Sequence, residues 1–133
     1  MKKTLKNFEI EVFVNTMSEK DSFLTRTRLP HAVRQACRIN LKTLSDRLNI
    51  YYDGRADIVK DYIANGKAEQ GDNGTVTFKE EYVKDINREL VELAGVDNEL
   101  EIEMVKKETL TPYLENNDLS MTEEDVLLFF CEE

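Results

Sequence analysis

Residues 37–62 read CRINLKTLSDRLNIYYDGRADIVKDY and carry the clearest periodic pattern in the chain. Apolar and aromatic side chains, with one arginine among them, recur at alternating intervals of four and three residues, which is the heptad seam of an α-helix. The seam residues are Cys37, Leu41, Leu44, Leu48, Tyr51, Arg55, Ile58 and Tyr62. The spacing predicts one long helix that starts near Leu29, because Pro30 suits a first turn, and ends near Gly66 in a left-handed cap. Gly54 weakens its middle without ending it.

Patterns on either side of this helix predict a partner helix and two strands. Residues 82–93 place apolar side chains at the i, i+4 interval and predict a second helix that ends before Gly95. Residues 8–12 and 100–104 alternate apolar residues with glutamates, which is the period of a half-buried strand. We expect these two strands to pair in a register that keeps their glutamates from facing each other, since like charges opposite each other destabilise a sheet.

Turn and capping residues divide the rest of the chain. Residues 70–78 read as a glycine-rich turn followed by a short extended piece. Pro112 and the polar cluster at 116–118 mark a loop. The capping-box pattern at 122–125 predicts the start of a short terminal helix, and residues 126–130 are apolar enough to dock it on its own body or on a neighbour.

Together these patterns predict an α+β fold, in which a long antiparallel helical hairpin is joined by a small antiparallel β-sheet formed by the N- and C-terminal strands. A length of 133 residues fits a single domain over residues 1–133. The long helix exceeds what the second helix can cover, so part of its seam needs either the strands or another copy of the chain. Because two short strands alone form no stable sheet, we expect a homo-oligomer.

The basic residues of this acidic chain are concentrated in one stretch. The net charge is −9, yet six of the seven arginines lie between Arg26 and Arg55. Residues 26–47 hold six basic residues and one acid, for a net charge of +5, whereas residues 80–133 hold four basic residues and seventeen acids, for −13. This asymmetry predicts a surface that meets an anion, but the arginines can also pair with the acidic second half. The overall acidity argues against direct binding of duplex DNA, which needs broad phosphate neutralisation.

The sequence contains no recognisable motif for catalysis, a metal or a cofactor. His31 is the single histidine, and no acid or cysteine stands beside it in a metal-ligand pattern. Cys37 and Cys131 are isolated cysteines, and the glycines of the turn lack the context of a phosphate-binding loop. We therefore expect no enzyme, no cofactor and no metal site. With neither a signal peptide nor an apolar run of membrane-spanning length, we expect no membrane partner and a cytoplasmic protein.

The candidate anion-binding residues lie in and before the long helix. Arg34 and Arg38 are one turn apart on the same helical face, and their guanidinium groups can fork onto phosphate or carboxylate oxygens. Arg26 and Arg28 precede the helix and point toward its amino-terminal end, where the backbone dipole also favours an anion.

Arg55 is unusual because it occupies a seam position. A charge there needs a partner, which can be an acid on the second helix such as Glu89. Alternatively, the aromatic neighbours Tyr51, Tyr52 and Tyr62 can stack on a ligand's base or on the guanidinium itself. The candidate ligand-binding residues are therefore Arg26, Arg28, Arg34, Arg38, Tyr51 and Arg55.

The order of these parts resembles a known family. An N-terminal alternating strand is followed by a small polar loop, an Arg-x-Arg pair at 26–28 and a long basic helix. A glycine-rich turn then precedes Thr-Val-Thr-Phe at 75–78 and an acidic helix. A Leu-Glu-Ile-Glu stretch at 100–103 and an acidic segment at 119–125 follow. In this order the chain resembles small acidic proteins of unknown function from tailed phages and prophages of Gram-positive bacteria. The layout is also similar to phage counter-defence proteins of the Thoeris anti-defence type.

The second resemblance implies a non-catalytic, oligomeric sponge in the cytoplasm of an infected host cell. Such a protein sequesters a nucleotide immune signal, here a cyclic nucleotide or a cyclic ADP-ribose-like compound. The resemblance implies a pocket of arginine and aromatic residues at subunit junctions, for which Arg26, Arg28 and Arg55 are the nearest candidates.

Two other functions stay open on the sequence. The chain can be a phage structural or assembly protein, or an inhibitor that binds a host protein. Either would act through protein–protein contacts of the uncovered seam and of residues 126–130. DNA mimicry by the acidic second half is a further interpretation that its charge permits.

Overall fold

The computed structural model describes residues 1–26, 28–115 and 119–132. The helices are α1 Asn7–Ser18, α2 Phe23–Arg26, α3 His31–Ala64, α4 Val83–Ala94, α5 Lys107–Leu114 and α6 Met121–Phe129. The strands are β1 Lys2–Lys6, β2 Ala68–Gln70, β3 Val76–Phe78 and β4 Asp97–Glu101, and a single 3-10 turn spans Glu80–Tyr82. Long helices with a small antiparallel sheet of β1 and β4 confirm the predicted α+β fold.

The long helix α3 follows its seam as predicted. Of the seam residues, Leu44 and Leu48 are buried in the main core, whereas Arg55 is exposed. The helix ends at Ala64, and Gly66 has a φ of 72°, the left-handed conformation that glycine adopts without strain. Gly54 leaves the helix unbroken, and an added Cβ there would lie 3.3 Å from Leu93 Cδ2, so α4 approaches α3 closely at this point.

Residues 8–12 form part of a helix, so the predicted strand in this segment is wrong. The side chains of Ile10, Val14 and Met17, at i, i+4 and i+7, are buried in the core, whereas Phe8 and Val12 are about half exposed. The alternation with glutamate covers only five residues, and the helical period that decides the structure emerges over a longer window. The strand is instead β1, which immediately precedes this helix.

The sheet register places lysines of β1 against acids of β4. Lys6 lies opposite Asp97, with 3.0 Å between Lys6 Nζ and Asp97 Oδ1, and Lys2 Nζ lies 3.3 Å from Glu99 Oε1. Because β1 lies before the glutamates of α1, the expected conflict between glutamates does not arise. The strand β4 ends at Glu101, earlier than the alternating pattern predicted.

The helix α1 packs against α3, and buried side chains of both helices belong to the main core, among them the seam residues Cys37, Leu44, Leu48 and Tyr51. The terminal helix α6 docks on the same body: the rings of Phe13 and Phe129 are 5.3 Å apart, and Val126, Leu127 and Phe130 are fully buried. The half of the seam that lacked a predicted partner is therefore covered within the chain, and the need to cover it no longer supports oligomerisation.

A second, smaller core lies at the other end of α3. Tyr62, Ala68 and Ile86 form it from α3, β2 and α4, and the β2–β3 hairpin confirms the predicted turn and short extended piece. The helices α3 and α4 are the predicted hairpin, since α4 ends at Ala94 before Gly95, as expected.

Two predicted boundaries near the carboxyl terminus are wrong. Pro112 lies inside α5, because the fully buried Leu110 anchors this helix, which outweighs the one backbone hydrogen bond that proline cannot donate. The cluster at 116–118 lies outside the described residues. The capping box of α6 is formed by Ser120 and Glu123, two residues earlier than predicted from Thr122. Among the helices of the described ranges, none is long and apolar enough to cross a membrane.

Candidate anion-binding surface

The first two turns of α3 carry a basic surface depression. Its volume is about 330 Å³, and it is lined by His31, Arg34, Gln35 and Arg38, which we call the basic face. These residues follow the i, i+3, i+4, i+7 spacing of one helical face, so the regular helix places them together. The sequence pattern identified Arg34 and Arg38; it missed His31 and Gln35 as neighbours, although their spacing alone indicates the shared face.

The arginines of this surface have no acidic partner among the residues that the structure describes. In the described part of the chain, Arg34 and Arg38 form no ion pair, and neither do Arg28, Lys42 and Arg47. The ion pairs present there join the amino-terminal ammonium group and residues Lys2, Lys6, Arg55 and Arg88 to acids. The interpretation that the basic stretch is neutralised by the acidic second half therefore fails for these described residues.

Arg34 has a donor that the protein leaves unsatisfied. Its Nε is buried but has no hydrogen-bond partner within the described structure, although the side chain as a whole is half-buried. A buried donor without an acceptor costs free energy, about 1–3 kcal/mol for a neutral group and more for a charged one.

The start of α3 adds positive potential to the same place. Pro30 is the N-cap and offers no side-chain hydrogen bond, and the first turn contains no acid. The first amides of a helix have no partner within it and carry the positive end of the helix dipole. The basic face therefore lies at the end of the helix where an anion is favoured.

The structure separates the predicted site residues into two groups. Arg38 and Arg55 are 17 positions apart on one continuous helix, so at about 1.5 Å per residue they are about 25 Å apart along its axis. Arg28 is exposed in the segment that leads into α3 and belongs with the first group by position. The side chain of Arg26 lies outside what the structure describes.

Arg55 has a different partner from the predicted one. Its Nη1 lies 3.9 Å from Glu11 Oε2 on α1, and its guanidinium carbon lies 5.7 Å from the ring centroid of Tyr51. Glu89 instead accepts a hydrogen bond from the Tyr62 hydroxyl, which raises the pKa of Tyr62 to about 12. The sequence could not indicate Glu11 as the partner, because its segment was predicted to be a strand.

The aromatic surface beside Arg55 belongs mainly to Tyr52. Tyr51 is buried, and its ring stacks on that of Tyr52 with 5.8 Å between centroids. Tyr52 is 39% exposed, and interaction of its hydroxyl with the Glu11 carboxylate raises its pKa. Tyr51 therefore packs against Arg55 and the ring of Tyr52, and its own ring is too buried to stack on a ligand.

No protein-family model, no curated protein and no solved structure matches the chain. The function is therefore inferred from the geometry of the chain itself.

The two cysteines offer little nucleophilic chemistry. Cys37 is fully buried, and burial raises the pKa of its thiol to about 12, so the thiol stays protonated near neutral pH. Cys131 is buried as well. Among residues 1–26, 28–115 and 119–132, no three histidine, cysteine or carboxylate side chains converge as they would around a metal ion. What the basic face can do chemically is bind an anion through fixed cationic donors.

Proposed function

We propose that this chain is a non-catalytic binding protein that holds a small phosphate-bearing ligand on the basic face of α3. The observation that carries this proposal is the pair Arg34 and Arg38, which has no acidic partner among the described residues of a protein with a net charge of −9. Acids are abundant enough to neutralise two more arginines, so the open pair is best explained by a ligand that supplies the negative charge.

Phosphate suits this pair by geometry. Side chains one helical turn apart start about 5–6 Å from each other, so both guanidinium groups can contact one phosphate or two linked phosphates. Arginine donors fork onto phosphate oxygens in pairs, and these charged hydrogen bonds are roughly twice as strong as neutral ones. The acidic body around the basic face limits the ligand to a compact anion, because an extended polyanion would meet the carboxylates.

The finer form of the proposal rests on the resemblance to phage proteins. In that form the ligand is a nucleotide immune signal, such as a cyclic nucleotide or a cyclic ADP-ribose-like compound, and the chain is an oligomeric counter-defence sponge in the host cytoplasm. A sponge needs affinity without turnover, which agrees with an arginine pair and a protonated, buried Cys37.

The alternative, a structural or inhibitory protein that acts by protein–protein contacts, has less support. It depended on the uncovered seam and on residues 126–130. Most of the seam is buried in the chain's own cores, and Val126, Leu127 and Phe130 are fully buried as well. Leu128 is the half-exposed apolar residue left in the 126–130 segment. The exposed apolar residues Ile39 and Ile50 share one face of α3 and are one candidate surface for self-association.

Isothermal titration calorimetry tests the proposal with pyrophosphate, ADP-ribose and cyclic ADP-ribose, and with adenosine as the uncharged control. We expect wild-type protein to bind at least one phosphate compound but not adenosine. Replacing both Arg34→Ala and Arg38→Ala should weaken binding about tenfold or more, because charged hydrogen bonds are lost.

The matched control is Arg88→Ala, which removes an exposed arginine on α4 that lies 3.8 Å from Asp85. This variant should bind as wild type does. If no phosphate compound binds, or if Arg88→Ala weakens binding as much as the double variant, the basic face is not the site.

A further inference from the structure

A second concave surface lies at the other end of α3. It is a groove of about 430 Å³ between α3, the β2–β3 hairpin and α4. Pockets of about 300–1,000 Å³ are typical of small-molecule sites, which are lined mainly by apolar side chains with a few placed polar groups. The floor of this groove is formed by Val59, Ile63, Val76 and Leu90, all half-buried.

The charged residues that line the groove are all cationic. Arg55 and Lys60 lie on α3 beside the apolar floor, and no carboxylate is among the lining side chains. In a chain with 27 acids and 18 basic residues, two cations without an acid in the lining indicate a preference for a negative group.

Glu11 forms an ion pair with Arg55 and leaves its guanidinium available to a ligand. The 3.9 Å separation between Arg55 Nη1 and Glu11 Oε2 is long for an ion pair, and both side chains are partly exposed. Exposed pairs of this kind contribute little to stability, so the guanidinium can turn to a ligand at little cost.

Tyr52 adds an aromatic wall at the same end of the groove. One face of its ring stacks on Tyr51, and 39% of the residue remains exposed. An aromatic ring beside an arginine suits a flat ligand, which can stack on the ring while its charge meets the guanidinium.

We propose that this groove is a second binding site, for a small ligand with a flat apolar body and one anionic group. The body would lie on the apolar floor against Tyr52, and the anionic group would meet Arg55 or Lys60. Val59 is 21 positions beyond Arg38 on α3, so the groove is about 30 Å from the basic face along the helix. This site is independent of the proposed phosphate site.

The test uses two fluorescent probes that share their rings and differ in charge. Anilinonaphthalene sulfonate is aromatic and anionic, and N-phenylnaphthylamine has the same rings without the sulfonate. We expect wild-type protein to bind the sulfonate with one-to-one stoichiometry and more tightly than the uncharged probe. Val59→Glu should weaken sulfonate binding about tenfold, because it places a carboxylate on the apolar floor.

Val91→Glu is the matched control, since Val91 is 71% exposed on α4 and outside the groove lining. It makes the same change of charge and should bind the probe as wild type does. The double variant of Arg34 and Arg38 should also bind the sulfonate normally, which separates this site from the basic face. Equal weakening by Val91→Glu, or tighter binding of the uncharged probe, would overturn the proposal.

A measurement on wild-type protein alone avoids dependence on the folding of any variant. In an amide NMR titration with anilinonaphthalene sulfonate, the signals of residues 59, 63, 76 and 90 should shift together and saturate. The assignment of the groove would be contradicted if these four signals do not shift, or if only signals from other parts of the molecule do.

Discussion

At the scale of single residues, Asn40 holds two distant parts of the chain together. Its side chain is fully buried on α3, its Nδ2 donates to the Glu103 carbonyl over 2.9 Å, and its Oδ1 accepts from the Glu103 amide over 2.8 Å. This pair of hydrogen bonds satisfies both backbone groups of a residue that follows β4. These hydrogen bonds explain why a polar residue, Asn40, lies next to the apolar seam. The sequence pattern did not indicate them.

Replacing Asn40→Ala should lower the free energy of unfolding by about 1–3 kcal/mol, because two partly buried backbone groups lose their partner. Urea denaturation followed by circular dichroism measures the change. Asn49→Ala, at an exposed position of the same helix, makes an identical substitution and should change stability by no more than about 0.5 kcal/mol. Equal losses in the two variants would show that the Asn40 hydrogen bonds contribute nothing specific.

The composition of the basic face also depends on single residues. Arg34 and Arg38 were found from spacing alone, because a regular helix leaves no freedom in which residues share a face. The partner of Arg55 was not found, since an ion pair between α1 and α3 depends on how two helices pack. Spacing within one element is therefore readable from the sequence, whereas contacts between elements are not.

At the scale of elements, the sequence predicts the fold class, the hairpin of α3 and α4, and the β2–β3 turn. The two helices have a periodic pattern longer than one turn, and the β2–β3 turn has glycines in a turn sequence. The helix α1 could not be predicted, since five alternating residues satisfy a strand while Ile10, Val14 and Met17 satisfy a helix. Its burial against α3 decided between the two patterns. That burial also removed the clearest sequence argument for an oligomer.

The capping box of α6 also differs from the sequence prediction, and its position can be tested. The Glu123 amide donates to Ser120 Oγ over 3.1 Å, and Glu123 Oε1 accepts from the Ser120 amide over 3.0 Å. Glu123 Oε2 also accepts from the Phe23 amide over 2.7 Å, so the box ties α6 to the start of α2.

Ser120→Ala should therefore lower the free energy of unfolding by about 1 kcal/mol, the usual cost of losing an N-cap hydroxyl. Thr122→Ala, two residues further on, should cost no more than about 0.5 kcal/mol, because Thr122 is exposed and lies inside the helix. Thermal or urea unfolding compares the two variants. A larger loss for Thr122→Ala would restore the capping position that the sequence pattern predicted.

At the scale of the whole molecule, α3 separates the charges of the chain. Its 34 residues span about 50 Å, with the basic face at the amino-terminal end. The helix α4 packs along the other end, and its start carries Glu80, Glu81 and Asp85. The basic face therefore attracts a small anion at the amino-terminal end of α3. At the other end, the acids Glu80, Glu81 and Asp85 are not among the residues that line the groove with Arg55 and Lys60. Homo-oligomerisation stays a prediction, for which Ile39 and Ile50 are two exposed apolar residues on one face of α3.

Native mass spectrometry of protein purified gently from bacterial cells tests the central claim most directly. We predict a discrete non-covalent adduct on wild-type protein, with the mass of a phosphate-bearing compound, that disappears after denaturing extraction. The adduct should persist on Arg88→Ala and be absent from the Arg34→Ala, Arg38→Ala double variant. Wild-type protein that stays without an adduct, even after incubation with cyclic nucleotides and ADP-ribose derivatives, or the same adduct on the double variant, would contradict the claim that the basic face of α3 holds the ligand.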